Sequence, residues 1–486
     1  MPNQQLVDYI KQQISQGVGL DVIRSNLISK GGWVQSEVDQ IISQINQPAP
    51  VFLAKKKHRV RTIIIVLVCI LAAVYLIFCS IPRILNIFYH DIPPIDDSDL
   101  ALQKINLSDS VNGYVDVTNA ISVMYAPSSM TAAITDMSVG NNWNDATATM
   151  LVSKNAQALV YFGQAARKPQ FQWPGTADPA NISPDLVLTP LNDWRTISRI
   201  NSIYAMALAK QGKDAAALDA AMNSVSFGQK IEDSQDVLIG YLVGLSLKTN
   251  GLTAIQKIIS SSKLASADIQ PYINEMNKYV NDDSGLITAF KAEYQNLIWT
   301  VSPENLKAML LGSFDPQDLN TPQDSLKGMT PNQYASKINA SFYFQPNKTK
   351  LLFANYVRDE IRNAPTSCGV TPQAPLKLLA PRDPVRMWLE PNFVGEVLHD
   401  MTALSLDDVN RVKCADEAKV SETQILLALR AYENATKSLP TSLGQLIPAY
   451  FPAIPTDPFN KQPLQYSLQN KTIFSSYATS TITIDF

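Results

Sequence analysis

One long apolar segment without any charged side chain constrains this sequence more than any other feature. Residues 62–82 read TIIIVLVCILAAVYLIFCSIP. A helix rises about 1.5 Å per residue, so this segment covers about 32 Å, which matches a hydrocarbon core of about 30 Å. Helices buried inside soluble proteins rarely contain an uncharged run of this length. The segment therefore predicts a single transmembrane helix over residues 62–82.

Charged residues on the two sides of the segment predict its orientation. The sequence KKKHRVR occupies residues 55–61, whereas aspartates follow the segment at Asp91, Asp96, Asp97 and Asp99. The positive-inside rule then predicts a cytoplasmic N-terminus and an extracytoplasmic C-terminal part. About 60 residues precede the segment, which argues against a cleaved signal peptide and for a signal anchor. We expect a single-pass protein of the cytoplasmic or inner membrane.

Composition and net charge limit the classes of function. The 486 residues contain 40 basic and 43 acidic side chains, and the formal net charge is −3 at pH 7. Proteins that bind nucleic acid use an excess of basic residues to neutralise phosphates, so no nucleic acid partner is expected. Three histidines and four cysteines leave little material for a zinc site, and no metal or cofactor is predicted. A chain of this length should form roughly two to four domains.

The first 46 residues have the pattern of a small helical domain. Apolar residues recur at helical spacing in three short segments, which glycines separate at Gly17–Gly19 and at Gly31-Gly32. The stretch LDVIRSNLISKGGWVQSEVDQII resembles the ubiquitin-associated-like three-helix modules, in which a glycine–aromatic loop joins two helices. This resemblance implies a cytoplasmic peptide- or partner-binding module. A folded cap before the basic linker 47–61 is the equally supported alternative.

After a short acidic linker, residues 91–420 have mainly helical periodicity, so the predicted fold class is mainly α. The most regular part is residues 193–231, DWRTISRINSIYAMALAKQGKDAAALDAAMNSVSFGQKI, where Gly212 separates two alanine-rich helices. This helical hairpin resembles one tetratricopeptide-type repeat, but no 34-residue period follows it. The apolar run Leu238–Leu247 spans only ten residues, which predicts a buried core helix and not a second membrane span.

Residues 421–486 form a separate C-terminal block. Residues 426–468, LLALRAYENATKSLPTSLGQLIPAYFPAIPTDPFNKQPLQYSL, resemble the end of a group of membrane-anchored helical proteins of the bacterial envelope. The hairpin and residues 155–169 extend this resemblance. The group has no established activity, so the resemblance implies architecture and location only. A helix followed by two alternating strands, LQYSL and TIFSSYA, predicts a small α+β unit.

The same block also resembles the end of type II secretion major pseudopilins, in which an Asp-Pro-aromatic turn precedes a terminal β-hairpin. Some of those proteins hold calcium there, which would make Asp457 a ligand; a simple rigid turn is the alternative. Calcium takes about six to eight oxygen ligands, and the sequence identifies no others. The membrane segment starts only at residue 62, without a processing-peptidase signature, so a pilus subunit is not expected.

The C-terminal block is expected to pack on the helical domain of the same chain. Two strands alone are too few to be stable in water. On an isolated block, a large apolar patch would be exposed, and such patches normally mark an interface. Its members are Ile447, Tyr450, Phe451, Ile454 and Phe459. The alternative is that this surface binds another envelope protein.

Two of the four cysteines are candidates for a disulfide. Cys69 and Cys79 lie in the membrane segment and are predicted to be unpaired apolar residues. Cys368 lies in a proline-rich stretch and Cys414 in a helical one, both on the side of the membrane where thiols can be oxidised. We therefore expect Cys368 and Cys414 to be the candidate pair, which Cα atoms more than about 7 Å apart would rule out.

No catalytic constellation is recognisable in the sequence, and no binding residues are singled out. Glu396 and His399 form one E-x-x-H motif next to Asp400, but a di-iron site needs two such motifs and two further glutamates. No G-x-S-x-G and no phosphate-binding glycine motif occurs.

Two hypotheses of function follow. The first is a non-enzymatic envelope scaffold whose helical hairpins bind a protein or peptide partner, which a broad, uncharged concave face would favour. The second is an envelope hydrolase that acts on glycan or peptide through paired carboxylates. A deep groove lined by acidic and aromatic side chains would favour this alternative.

Overall fold

The fold is that of a computed structural model, which describes most of the chain. The described residues are 4–45, 69–70, 72–75, 90–179, 191–279, 283–300, 302, 344–364, 368, 379, 390–406, 409–475 and 481–486. They divide into two compact units, Met1–Phe78 and Cys79–Phe486, which are taken one at a time. The described chain is mainly helical, with one small three-stranded sheet, so the predicted mainly-α class is confirmed.

Residues 4–45 of the first unit form three helices, α1 (Gln4–Ser15), α2 (Leu20–Ser29) and α3 (Gln35–Ile45), in the places where the sequence predicts them. Gly17 and Gly32 lie in the two turns with φ of +82° and +67°, a backbone region that favours glycine. The apolar faces of the helices meet in one small core. Its buried side chains are Leu6, Ile10, Ile23, Leu27, Val38, Ile41 and Ile42.

The predicted membrane segment is described only in part. Residues 69–70 and 72–75 are helical and exposed, and the other positions of 62–82 lie outside the described residues, as does the basic linker 47–61. Cys69 is unpaired, as predicted. Cys79 lies outside the described residues. The span and its orientation therefore stay predictions.

The second unit is built from helices of very different lengths. Its described helices are α4 (Tyr114–Ser122), α5 (Thr131–Ser138), α6 (Asp145–Lys154), α7 (Ala156–Arg167), α8 (Pro174–Ala177), α9 (Leu191–Lys210), α10 (Asp214–Glu232), α11 (Leu238–Ser261), α12 (Ser266–Met276), α13 (Ser284–Thr300), α14 (Pro346–Asn363), α15 (Phe393–Leu406) and α16 (Val409–Thr436). Short 3₁₀ turns lie at Ser98–Leu100, Ser128–Met130, Asn277–Tyr279 and Leu443–Leu446.

Helices α9 and α10 form the hairpin that the sequence predicts, and both pack against α11. Gly212 adopts a φ of +74° in the turn between them. There the amide of Lys213 donates to the carbonyl of Leu208 at 3.0 Å, which closes the end of α9 in the manner of a glycine C-terminal cap. The hairpin is therefore formed by local helix-ending chemistry together with the apolar faces.

Helix α11 is the central helix of the second unit. It is the one helix among the described residues that is long and apolar enough to cross a membrane by length and composition. Its three faces contribute to three separate apolar cores, represented by Ile255, Val243 and Leu245. A helix that is apolar on all sides is expected where every side is covered by protein. The predicted burial is right, but the helix has 24 residues instead of ten.

Glycines allow α10 and α11 to approach unusually closely. A Cβ placed on Gly244 would lie 2.8 Å from the carbonyl oxygen of Gly228, and one on Gly251 would lie 2.8 Å from that of Ala221. Real Cβ atoms do not come this close to backbone oxygens, so each glycine is needed for the contact. The alanine-rich surface of α10 noted in the sequence is the other half of this packing.

The acidic stretch after the predicted membrane segment, expected from the sequence to be a linker, contacts helix α14 of the second unit. Asp91 accepts hydrogen bonds from the amides of Asn347 and Lys348 at the first turn of α14, at 2.7 and 3.0 Å. Arg358 of α14 holds the Asp99 carboxylate with two bonds of 2.8 and 2.6 Å. The stretch is therefore held against α14 by aspartates whose partners lie about 250 residues away in the sequence.

The C-terminal block ends in an antiparallel sheet of β1 (Gln465–Ser467), β2 (Thr472–Phe474) and β3 (Thr481–Thr483). Tyr466 pairs with Ile473, and Ile473 pairs with Ile482. The sequence predicts the first two strands but not the third. The helix before the sheet, α16, runs without interruption across the predicted boundary between residues 420 and 421.

The C-terminal block packs on the helical domain, as predicted. Phe451, Leu464, Ile473 and Ile484 are buried in the same core as residues of α10, α11 and α12. Tyr450 contributes a hydrogen bond of 3.0 Å to Ser266 at the start of α12. Of the predicted apolar patch, Ile447 stays 40% exposed. The block therefore completes an apolar core of its own chain.

Cys368 and Cys414 are joined by a disulfide in the structure. Their Cα atoms are 5.6 Å apart, within the range that a disulfide requires, and the sequence separation is 46 residues. Cys414 is fully buried on α16. The bond ties the chain at residue 368 to the helix that leads into the C-terminal block.

Candidate functional site: a charged cleft on the second unit

The candidate site is a cleft between the C-terminal end of α7, one face of α10 and helix α12 with the turn that follows it. Its volume is about 770 Å³, within the range of sites that hold a small molecule or a short peptide segment. Four cationic and three acidic side chains line it, together with two tyrosines. The cleft is thus not the uncharged concave face expected for a scaffold; its acidic and aromatic side chains are of the kind expected for the hydrolase, but cationic side chains lie among them.

Helix α10 supplies most of the cleft through a regular polar face. Asp219, Asn223, Ser226 and Lys230 line the cleft and follow one another at steps of three or four residues, which places them on one side of a helix. Gly228, on the opposite side of α10, lies against α11. The close packing of α10 on α11 therefore fixes the position of the polar face.

The cationic side chains gather at the end of the cleft next to α7. Lys230 donates to the carbonyl oxygen of Ala166 and, at 2.6 Å, to the hydroxyl oxygen of Ser226. Burial lowers the pKa of Lys230 to about 8, although the charges of Asp233 and Glu275 oppose this shift. Lys168 donates to the carbonyl oxygens of Asp109 and Ser110 at 2.8 and 3.2 Å.

The acidic side chains of the cleft are engaged by donors of the same chain. The Tyr272 hydroxyl donates to Asp219 at 2.8 Å. Glu275 accepts from the Tyr279 hydroxyl at 3.2 Å and from Lys278 at 2.7 Å. Asp233 likewise accepts from the Gln229 side-chain amide at 2.9 Å. Burial and the neighbouring carboxylates raise the pKa of both tyrosines, so their hydroxyls stay protonated donors.

A buried ionic network lies behind the cleft, where α10, α11 and α16 meet. The Lys248 ammonium is fully buried and lies 2.7 Å from Glu232 and 2.8 Å from Asp416. Gln229 accepts a third bond from Lys248 at 3.0 Å. The Gln229 side chain therefore joins this network to the cleft, since its amide donates to Asp233.

Two carboxylates face one cation in this network. Burial raises the pKa of Glu232 to about 8; the positive charge of Lys248 opposes this shift and the negative charge of Asp416 adds to it. The two carboxylates raise the pKa of Lys248 against the effect of burial. Lys248 therefore stays charged, and Glu232 is the member of the network that takes up a proton near neutral pH.

The chain was compared with known protein families and structures. No protein-family model, no curated protein and no solved structure matches the chain significantly. The cleft and the network are therefore interpreted from their own contacts.

The predicted E-x-x-H motif does not form an open site. His399 is largely buried, with its Nδ1 atom 3.1 Å from Asp400, and its ring lies against Phe353 and Tyr356. Asp400 accepts bonds of 2.9 and 3.0 Å from the amide of Leu379. His399 and Asp400 are thus held in the protein interior by packing and backbone contacts.

Glu396 of the same motif belongs to a pair of carboxyl groups with Glu390. Burial raises the pKa of Glu396 to about 7, and the charge and hydrogen bond of Glu390 add to this effect. Lys348 lies 3.4 Å from Glu390. Among the described residues no group of three or more histidine, cysteine or acidic side chains is arranged to hold a metal.

Asp457, the candidate calcium ligand, is buried in a turn. Its carboxylate accepts a hydrogen bond of 3.0 Å from the amide of Phe459 and one of 2.7 Å from the hydroxyl of Ser475. Its own amide donates to the carbonyl of Gln462 at 2.7 Å. These contacts are those of the rigid-turn alternative, in which an aspartate side chain organises its local backbone.

Sequence analysis missed both the cleft and the buried network. The polar face of α10 lies inside the hairpin that the sequence predicts, so the spacing of Asp219, Asn223, Ser226 and Lys230 is the signal that could have identified the cleft. The position of Lys248 carried no comparable signal. A lysine at the end of an apolar run resembles the solvated end of a helix, and its partner Asp416 is far away in the sequence.

Proposed function

We propose that the protein is a single-pass, membrane-anchored scaffold of the bacterial envelope, whose second unit binds a protein or peptide in the cleft without catalysis. This proposal rests on the hydrogen bonds that the acidic side chains of the cleft accept from the same chain. Asp219, Asp233 and Glu275 each accept a hydrogen bond from a side chain of the same chain. Carboxylates engaged in this way are suited to shape a binding surface, whereas general acid–base catalysis needs a carboxyl group that can reach the substrate.

Two observations support the location. The basic sequence 55–61 before the apolar run 62–82 favours a cytoplasmic N-terminus. The disulfide between Cys368 and Cys414 fits an oxidising compartment outside the cytoplasm. The other apolar helix of sufficient length, α11, is covered by protein and does not need a bilayer.

The α9–α10 hairpin supports a repeat-like scaffold. Its glycine turn and alanine-rich contact agree with the resemblance to a tetratricopeptide-type hairpin. In such architectures, the surface of packed helices commonly serves as the binding face. Here the cleft is formed partly by the second helix of the hairpin.

The test is site-specific photo-crosslinking in intact cells. A photoreactive amino acid is placed at Lys278, which lines the cleft and has a side chain 68% exposed in an ion pair with Glu275. The matched control is Lys104, which lies outside the cleft and is 58% exposed in an ion pair with Asp178. We expect a discrete crosslinked partner from position 278 and not from position 104. Equal yields at both positions, or none at 278, would contradict binding in the cleft.

Orientation is tested separately. In cells with a permeabilised outer layer, a tag after Phe486 should be removed by added protease while a tag before Met1 is protected. The reverse pattern would show that the assigned orientation is wrong, without bearing on the cleft.

The first unit has a groove that suits a cytoplasmic partner. Leu6, Tyr9, Leu27, Lys30 and Trp33 are among the residues that line a cavity of about 510 Å³. Tyr9 is 42% exposed there, and Val22, which is 54% exposed, lies outside it. A photoreactive group at Tyr9 should capture a cytoplasmic protein that the same group at Val22 does not; the folded-cap alternative predicts no difference.

The hydrolase alternative has two observations in its favour. Acidic and tyrosine side chains line the cleft, and Glu390 and Glu396 form a pair of carboxyl groups elsewhere in the second unit. A neighbouring carboxyl group and a pKa raised to about 7 for Glu396 are properties of carboxyl pairs used in hydrolysis. Release of soluble fragments from isolated peptidoglycan measures this activity. The scaffold proposal expects no release, whereas release that Glu396→Gln abolishes would establish the hydrolase.

A further inference from the structure

The end of the cleft next to α7 holds four side-chain donors, two of which have no side-chain partner among the described residues. We call this set the basic end; it consists of Arg167, Lys168, Asn223 and Lys230. Within the described part of the chain, Arg167 and Asn223 make no side-chain hydrogen bond and no ion pair. Unused donors of this kind are available to a ligand.

Arg167 and Asn223 converge on one place. A Cβ placed on Gly163 of α7 would lie 3.2 Å from Nη1 of Arg167 and 3.4 Å from Nδ2 of Asn223. The two donors therefore lie within about 7 Å of each other above a residue that has no side chain. This arrangement places a guanidinium and an amide, both of which donate, next to each other.

The positive charge at this end is only weakly compensated. Lys230 contacts the neutral oxygens of Ala166 and Ser226, and no carboxylate of the described residues lies within 4 Å of its ammonium. Lys168 lies 3.7 Å from Asp116, a long ion pair. The acidic groups of the cleft accept hydrogen bonds from tyrosine, lysine and glutamine donors, so none of them forms an ion pair with Lys230 within the described residues.

Resting on the proposed function, we propose that the basic end binds a single carboxylate of an acidic peptide segment, held by Arg167 and Asn223 with Lys230 beside them. A guanidinium matches a carboxylate with two parallel hydrogen bonds. The carboxylates of Asp219, Asp233 and Glu275 in the same cleft would repel a continuous polyanion. The site therefore suits one acidic side chain, or a C-terminal carboxylate, followed by a neutral stretch of peptide.

The environment of Lys230 gives this binding a pH dependence. Asp233 and Glu275 favour its protonated form, while Lys278 and burial disfavour it, with the result that its pKa is about 8. A bound carboxylate interacts with the protonated form, so affinity should fall as the pH rises through 8. Arg167 stays charged throughout this range and is expected to retain part of the binding.

The experiment uses the full-length protein in detergent micelles and two probes, the N-acetylated and C-amidated peptides Ala-Ala-Glu-Ala-Ala and Ala-Ala-Gln-Ala-Ala. Binding is followed by saturation-transfer difference NMR. We expect the glutamate peptide to bind about tenfold more tightly than the glutamine peptide, as is typical for a hydrogen bond to a charged group. Arg167→Gln should remove this preference. Lys213→Gln, the same change at an exposed lysine outside the cleft, should not.

Arg167→Gln is the decisive variant because Arg167 is exposed and makes no side-chain hydrogen bond or ion pair with the described residues that the change would remove. Lys230→Met is the second variant. In the unmodified protein the preference for the glutamate peptide should decline between pH 7 and 9, and in this variant it should stay constant. Equal binding of the two peptides, or a preference that Arg167→Gln leaves intact, would overturn the inference. So would an oligonucleotide that competes at lower concentration than the glutamate peptide.

The two levels of proposal fail in different ways. If photo-crosslinking from Lys278 succeeds while the two peptides bind alike, the cleft binds a partner but the basic end does not select a carboxylate. If crosslinking fails and the glutamate peptide still binds through Arg167, the carboxylate site exists and the scaffold proposal is wrong.

Discussion

Replacing Lys248 by methionine should strongly destabilise the second unit. Methionine keeps most of the side-chain volume but removes the cation between Glu232 and Asp416, whose side chains are 0% and 3% exposed. Removing one member of a buried ion pair typically costs about 3–5 kcal/mol, because an uncompensated charge stays buried. Part of this cost is relieved when Glu232 takes up a proton, so the destabilisation should be larger at pH 9 than at pH 6.

The assay is a urea titration of the full-length protein, followed by the fluorescence of tryptophans such as the buried Trp194. With a denaturant slope of about 2 kcal/mol/M, a loss of 4 kcal/mol lowers the midpoint by about 2 M. The matched control is Lys210→Met, since Lys210 is 54% exposed and lies 3.8 Å from Asp145. Loss of such a surface pair should cost less than about 1 kcal/mol.

A triple variant shows whether the destabilisation comes from an uncompensated buried charge or from the loss of the ion pairs themselves. Replacing Glu232 and Asp416 by leucine together with Lys248→Met removes all three charges. Its stability should return close to that of the unmodified protein, because apolar residues can replace buried ion pairs without loss. If Lys248→Met costs less than about 1 kcal/mol at pH 7, or if the triple variant is as unstable as the single one, the reasoning about buried charge is refuted.

Three further predictions concern the same unit. Under non-reducing conditions, Cys368→Ser should lower the free energy of unfolding by up to about 4 kcal/mol, measured by urea titration. Under reducing conditions, where both proteins lack the disulfide, the variant and the unmodified protein should be equally stable. The folded pKa of Asp236 is raised by burial to about 7, above its unfolded value, so its stabilising contribution is present below pH 4 and lost as the pH rises through 7; Asp236→Asn should flatten this decline in melting temperature. Gly244→Ala should cost about 2 kcal/mol or more, because its Cβ would meet the Gly228 carbonyl, whereas Gly212→Ala meets no atoms and should cost only the strain of its positive φ.

Local patterns predicted the elements of this fold well. Glycines between apolar runs locate the three helices of the first unit and the α9–α10 turn at Gly212. The apolar residues of the C-terminal block, among them Phe451 and Ile473, required a partner surface, and the core of the helical domain supplies it. In these cases the determining interactions are helix-ending chemistry and burial, which neighbouring residues of the sequence reveal.

Interactions between distant residues were not predictable in the same way. Lys248 meets Asp416, and Arg358 meets Asp99, only after folding brings helices together that are far apart in the sequence. Without that knowledge a charged residue is most simply taken as solvated. The cleft has the same origin, because its walls come from α7, α10 and α12, and only the α10 face has a recognisable spacing.

The partners found for the aspartates after the membrane segment change the basis of the topology argument. Asp91 and Asp99 accept hydrogen bonds from α14, so part of the acidic charge after the predicted membrane segment is paired within the second unit. The positive-inside rule does not need them, since lysine and arginine determine orientation and acidic residues contribute little. The prediction therefore rests on the basic residues 55–61. The disulfide between Cys368 and Cys414 adds an independent reason to place the second unit in an oxidising compartment, because it depends on compartment chemistry and not on charge.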